Sequence, residues 1–407
     1  MPDRLSRPEF VALMAMLFAT IAFSLDAMLP ALPEIAAEVT PDAPNNAQLI
    51  VTSFVLGMGI GTLFTGPLSD AFGRRPVILV GSALYILGAV LAWAAPTLEM
   101  ILLARVLQGL GAAGPRIVAL AIIRDLYAGR HMAQLMSFVM LIFTLVPAMA
   151  PAIGAGIIAV AGWRSIFVAF IVFSVITTIW FALRQSETLA PSSRRPFQLT
   201  VLWSGMAEVL STRQVVLTMV VLSLTFGMLF TLLSSTQPVF DVAFGRGATF
   251  HWWFAVIALI SASGSLLNAA VVLRLGMRRV VAMALLAQIT LSSLMLILMA
   301  AFGPTSAQAF AAYVVWTTGA FLMAGLTIGN LNSLAMAPMG HMAGMTASIV
   351  GSVSTVVAVL IAVPVGLAFD GTPVPLVLGV LICAVIAFAV TRRLDAASPN
   401  SMEDPQT

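Results

Sequence analysis

Twelve apolar stretches, each long enough to cross a lipid bilayer, leave this chain almost no other architecture. A helix needs roughly 20 apolar residues to span the hydrocarbon core. By that measure spans are predicted at 9–30, 47–69, 76–95, 98–123, 132–158, 164–184, 213–236, 248–272, 279–301, 307–335, 343–368 and 374–391. No water reaches the bilayer core, so each segment must satisfy its own backbone N–H and C=O groups, which means helices. The expectation is an all-α integral membrane protein with twelve transmembrane helices. The stretches 98–123 and 307–335 are long, which implies tilt or protrusion beyond lipid. Arg4 and Arg7 precede the apolar run Phe10–Leu25, as in a signal peptide. No small-x-small cleavage site follows at once and many spans come after, so this run is read as a retained first helix.

Composition agrees. Of 407 residues, 60% are hydrophobic and 9% charged, whereas soluble proteins carry roughly 25% charged residues. Lipid must therefore solvate much of the surface. All 19 basic residues are arginine. With a cytoplasmic N-terminus, fifteen of them fall on the cytoplasmic side: Arg4, Arg7, Arg74, Arg75, Arg124, Arg130, Arg184, Arg194, Arg195, Arg213, Arg274, Arg278, Arg279, Arg392 and Arg393. Only Arg164 and Arg246 fall outside, and Arg105 and Arg116 lie within the fourth span. This bias sets the orientation and requires an even number of spans, with both termini cytoplasmic.

Other classes find little support. The arginines are scattered among short loops and form no basic face, so nucleic acid is not an expected partner. Cys383 is the single cysteine, so no intramolecular disulfide forms. His131, His251 and His341 are far apart and suggest no metal site. No nucleotide-binding motif is present, and no cofactor is expected. An intramembrane enzyme would need a catalytic cluster, yet the chain has no lysine and no grouped histidines. A channel would need rings of repeated polar residues.

The longest polar stretch, Gln185–Thr212, divides the chain. The expected organisation is a six-helix bundle at 1–184, a cytoplasmic linker at 185–212, a second six-helix bundle at 213–393 and a cytoplasmic tail at 394–407. Between the second and third spans lies Gly66-Pro-Leu-Ser-Asp70-Ala-Phe-Gly73-Arg74-Arg75-Pro76. Gly66 and Pro67 are expected to end one helix and admit a neighbour. Asp70 is suited to accept helix N-terminal amides or pair with an arginine. Gly73 permits the reversal, and Arg74 and Arg75 are expected in water or among headgroups. The segment Leu273-Arg-Leu-Gly276-Met-Arg278-Arg279 echoes this loop without its aspartate, at the matching place in the second half. Such internal repetition marks many transporters.

The pattern G-x-x-x-D-x-x-G-R-R-P resembles the loop signature of the major facilitator superfamily. Leu25-Asp26-Ala-Met-Leu29-Pro30-Ala-Leu-Pro33 further resembles the first helix of its drug–proton antiporter branch, in particular the Bcr/CflA (bicyclomycin resistance) subgroup. The resemblance implies two six-helix bundles and rocker-switch alternating access. It also implies proton-driven export of small amphipathic compounds, a bacterial inner-membrane location and a monomer. Export of one metabolite, such as an amino acid or sugar, is the alternative.

Asp26 is the sharpest candidate for chemistry. A carboxylate in an apolar helix is costly, and it normally faces a wet cavity or a partner. It could exchange protons, or bind a cationic substrate in competition with them. Arg105, in Arg105-Val-Leu-Gln108-Gly109-Leu-Gly111, matches the superfamily's fourth-helix motif, and the resemblance assigns it to proton coupling. Its alternative is to snorkel from the helix end. Gln108 can hydrogen-bond to a neighbouring helix. Arg116, eleven residues after Arg105, lies near the same helix face roughly 16 Å away. It is no part of the recognised motif and argues against purely cationic substrates.

Pro147, Pro151 and Gly154 partly match the branch's fifth-helix signature and suggest a pliant seam. Asp125, in Arg124-Asp125, is expected to latch onto the Asp70 loop. Arg164 is expected to pair with Glu34, Glu38 or Glu99. Phe23, Phe143, Phe226, Phe230, Trp253 and Trp316 are candidates for an apolar substrate lining, together with Gln108 and Arg116. Asn268, Gln288, Asn330 and Asn332 are expected to touch substrate or tie helices together.

Overall fold

The computed structural model describes residues 5–394; the tail predicted at 394–407 lies almost wholly outside them. Fourteen α-helices account for most of the described chain: α1 (Arg7–Asp26), α2 (Leu32–Val39), α3 (Leu49–Phe72), α4 (Arg74–Ala94), α5 (Leu98–Leu126), α6 (Gly129–Ala161), α7 (Ser165–Arg184), α8 (Leu199–Ser211), α9 (Arg213–Pro238), α10 (Phe250–Leu275), α11 (Met277–Phe302), α12 (Ala307–Met336), α13 (Ala343–Leu367) and α14 (Val374–Thr391). No strand occurs among the described residues.

Twelve of these helices have the length and composition of membrane spans. Helical structure runs from Ala307 to Leu367, 61 residues, far more than the roughly 20 that one crossing needs. Met339 leaves helical geometry there (φ −117°, ψ 34°), dividing the run into α12 and α13. The first span also continues beyond its expected end. A 3₁₀ turn at Leu29–Ala31 joins α1 to α2, so the helical run extends to Val39. Pro30 and Pro33 each open a new helical segment here, where a missing N–H costs nothing.

The two halves repeat one packing plan. In each, the first long helix packs on the fifth, the second on the fourth, and the third on both the fourth and sixth. In the first half these pairs are α1 with α6, α3 with α5, and α4 with α5 and α7. In the second they are α9 with α13, α10 with α12, and α11 with α12 and α14. The halves meet along α3 and α13, and along α6 and α10. Leu273, 91% exposed, and Leu183, 78% exposed, belong to an apolar outer surface that requires lipid as solvent.

Glycine sets the closest approaches within the first half. A Cβ on Gly57 of α3 would strike the Val106 carbonyl of α5, and one on Gly109 of α5 would strike the Phe54 carbonyl of α3. This reciprocal contact is small-residue packing, which lets backbones approach closely in lipid. A Cβ placed on Gly351 of α13 would lie 3.6 Å from Thr62 of α3, in the seam between the halves.

Candidate functional site

One end of the bundle carries the Asp70 loop. α3 does not stop at Gly66: it passes through Gly66 and Pro67 and ends at Gly73 (φ +102°). The span expected to end at 69 thus runs three residues further, to Phe72, and Gly66 and Pro67 do not end it; the reversal needs a positive-φ residue and Gly73 provides it. Gly66 instead admits a neighbour, Ser348 of α13, whose Oγ would lie 3.1 Å from a Cβ placed there. Arg74 is not in water or among headgroups either. It is buried at 8% exposure, and its Nη1 donates to Asp70 (2.5 Å) and to Ser69 Oγ (2.8 Å). Its Nε donates to Asp125 at 3.0 Å. Two carboxylates make burial of this guanidinium affordable. The expected latch exists, with Asp125 joined to the loop through Arg74. Arg75 also turns inward, and its Nη2 donates to the Ala182 carbonyl at 2.7 Å.

Sequence reasoning missed Glu187. Its carboxylate accepts from the backbone N–H groups of Arg74 (2.9 Å), Arg75 (3.0 Å), Thr188 (3.0 Å) and Leu189 (2.9 Å). It therefore caps α4, whose first amides have no partner within the helix. Burial pushes its carboxyl up, but the four backbone bonds outweigh burial and hold it below the usual carboxylate range. The stabilisation is complete above the unfolded pKa and is lost as acid protonates the folded group. The linker also reaches the loop through Arg195, whose N–H donates to the Asp70 carbonyl at 3.0 Å.

Gly73→Ala tests this arrangement. The backbone at φ +102°, ψ 161° suits glycine alone, and the added Cβ would lie 2.5 Å from Glu187 Oε2. Strain of about 1–3 kcal/mol and displacement of the Glu187 cap are expected together. Purified Gly73→Ala should melt below wild type in detergent; an unchanged melting temperature would show that Glu187 does not brace the loop.

At the opposite face, polar contacts join the halves. Ser235 Oγ donates to Gln48 Oε1 (2.8 Å), and Gln48 Nε2 donates to the Gly366 carbonyl (3.0 Å). Asn45 Nδ2 donates to the carbonyls of Leu367 (3.1 Å) and Phe369 (2.7 Å). The signal available in the sequence is the polar cluster Asn45-Asn46-Ala-Gln48 ahead of the second span. Beside it lies a cavity of about 630 Å³ lined by Pro33, Ala36, Asn45, Gln237 and Asp241, among others. On this face Arg164 pairs with Glu38, one of the three expected acids, and Trp163 Nε1 donates to the same carboxylate at 2.7 Å.

Between the two faces lies the interior polar set. Asp26 ends α1 at 3% exposure, and no donor among the described residues reaches its carboxylate. Arg105 is fully buried, which removes the snorkelling alternative. Its Nε donates to the Ile50 carbonyl (3.1 Å), Nη1 to Gln108 Oε1 (2.8 Å) and Nη2 to the Ser24 carbonyl (3.1 Å). The guanidinium also lies 4.5 Å from the Phe54 ring centre. Ser24 belongs to the last turn of α1, where carbonyls lack helical partners, and a cation suits that end. Ser24 and Asp26 are two positions apart, or about 200° around the helix. Asp26 therefore faces away from the Arg105 contact. Gly154 of α6 packs against the Ala27 carbonyl, beside Asp26. That places the Pro147–Pro151–Gly154 segment of α6 between this break in the first span and α10 of the other half.

The aromatic candidates are not gathered at one point. Phe23 touches Phe170 and Phe173 of α7, Phe226 stacks on Phe230 within α9, and Trp253 meets Phe310 of α12 edge-on. Trp316 is buried with its indole N–H on Ser292 of α11 (2.9 Å), inside its own half. The Phe143 side chain lies outside the described residues. Asn330 ties α12 to α10 through Asn268 at 2.7 Å, and Gln288 bonds Ser292. Asn332 bonds back to its own helix. Arg116 is exposed although it lies deep within α5.

Residues 12–363 match the family described as Major Facilitator Superfamily. A Bacillus subtilis protein named "Uncharacterized MFS-type transporter YdgK" is 26% identical over 388 residues, covering 95% of each chain. A bicyclomycin resistance protein homolog of Haemophilus influenzae is 27% identical, over 93% of this chain and 94% of its own. The multidrug resistance protein MdtL of Escherichia coli K12 is 34% identical over 173 residues, 42% of this chain and 44% of that one. A crystal structure of a D-xylose–proton symporter aligns with a TM-score of 0.73 at 14% identity, covering 95% and 97% of the two chains. At that identity the likeness concerns the fold alone. The repeated packing plan, the Arg74-centred loop and a family match across most of the sequence lead to one conclusion: this protein belongs to the Major Facilitator Superfamily.

Proposed function

We propose that the protein is a proton-coupled exporter of small amphipathic compounds, antibiotics among them, which works by alternating access. One observation carries the reading. Asp26 is a buried carboxylate at a break in the first span, without a donor among the described residues to hold it charged. Such a group loads and unloads a proton when alternating access brings water to it from one side and then the other. Arg105 positions it by fixing the Ser24 end of α1, which is the part it takes in coupling. The Arg74 latch and the Gln48–Asn45 contacts are the two gates, one at each face. The arginine bias supports placing the Asp70 face, the 185–212 linker and both termini in the cytoplasm of a bacterial inner membrane. The names of the bicyclomycin-resistance and MdtL relatives support drug efflux. The transporting unit is a monomer containing both bundles, 1–184 and 213–393.

The test is dye accumulation in inverted membrane vesicles under an imposed pH gradient. Accumulation that appears with the gradient and collapses with a protonophore is expected. Saturable transport that ignores the gradient would refute coupling. Failure to move any of a broad dye set, with retained export of one metabolite, would replace drug efflux by the narrow alternative.

A further inference from the structure

Among the described residues, Arg116 is the one interior cation that the packing leaves open. It lies eighteen residues after the start of α5 and ten before its end, so it is at membrane depth. Its exposure is not exposure to lipid. Gly109, Ala112, Ala113, Ala119 and Ile123, which share its stripe of the helix, are all buried. The lipid-facing side of α5 is marked by Leu103, 72% exposed. Thirteen residues separate Leu103 from Arg116, which places them about 140° apart around the axis. On the Arg116 side, Arg105 reaches α1 and α3, and Gly109 meets α3. The open guanidinium therefore faces the groove between α1 and α3. Because α3 packs on α13, this groove borders the seam between the halves.

Among the described residues no hydrogen bond or ion pair reaches Arg116. The six long helices of the second half contain no aspartate or glutamate. In the first half, Glu9, Asp70, Glu99 and Asp125 belong to helix ends, and Asp26 lies near the level of Arg105, roughly 16 Å from Arg116. A guanidinium at this depth is costly without a counter-charge. Its planar fork suits a carboxylate.

We propose that Arg116 is the recognition point for a carboxylate on the transported compound, so that the substrates are amphipathic acids or zwitterions. This rests on the transporter reading and narrows its substrate class.

Rhodamine 110 carries a free carboxylate, and rhodamine 123 is its methyl ester, so the pair isolates one charge. Full-length protein in detergent is titrated with each dye by fluorescence polarisation. Wild type should bind the acid at least about tenfold more tightly than the ester, the minimum for one charge-assisted pair. Arg116→Gln should abolish that ratio, and Arg116→Lys should keep part of it, which also shows that the site tolerates substitution. A ratio unchanged in Arg116→Gln overturns the proposal, as does a wild type that prefers the ester or binds neither dye. Gradient-driven transport of the same dyes is read separately. Arg116-dependent acid binding without driven transport would sink the exporter reading and leave the anion site. Driven transport with no Arg116-dependent ratio would do the reverse.

Discussion

Asp26→Asn should eliminate gradient-driven dye accumulation in inverted vesicles while leaving the protein folded. The substitution keeps the size of the side chain and removes its ability to carry a proton. Each pH unit of gradient supports up to about tenfold accumulation per coupled proton. A mutant that cannot load a proton should lose that factor entirely, yet still exchange dye passively between the two sides. Stability should not fall, because a buried carboxylate without donors contributes a cost to the fold and an amide costs less. The comparison needs equal amounts of protein in the two vesicle preparations and matched melting in detergent. Equal accumulation in mutant and wild type would make Asp26 structural and move coupling elsewhere.

Arg105→Lys should damage the protein more than Arg105→Met. In the structure one planar guanidinium reaches three acceptors on two neighbouring helices and its own. Lysine keeps the full cost of a buried charge but cannot reach all three. Each acceptor left unpaired costs about 1–3 kcal/mol, so a loss of about 2–5 kcal/mol is expected for lysine. Methionine strands all three acceptors but removes the desolvated charge, and that gain outweighs the additional unpaired acceptors. If a positive charge were all that mattered, the order would reverse. Melting of the purified variants decides the order, and dye accumulation should follow stability. A lysine variant that melts and transports like wild type would refute the positioning role.

Legibility in the sequence followed the range of the forces. The span limits were readable because membrane insertion depends on apolarity summed over adjacent residues. The third, fourth, sixth and last spans came within two or three residues of their observed limits. The first did not: its helical run continues past 30 to Val39, because Pro30 and Pro33 begin new helical segments. Within the candidate site, Asp70, Asp125, Gly73 and the Arg164 partnership were legible, since charge and turn chemistry leave few choices locally. The fate of each arginine was not. Arg74, Arg105 and Arg116 are the same residue, yet one is locked between two acids, one is sealed among carbonyls and one is open.

By itself the sequence determined that this chain is a twelve-span helical protein, where its tight reversal lies and which half repeats the other. Those properties come from local apolarity, backbone freedom at glycine and the burial cost of charge. Only the tertiary structure decided the partners. Glu187 caps a helix that begins 113 residues earlier, Arg105 holds a carbonyl 81 residues away, and Gln48 bonds across 318 residues to the other half. Hydrogen bonds are short and directional, so they are assigned by whichever groups packing brings within about 3 Å. No periodicity along the chain encodes that choice.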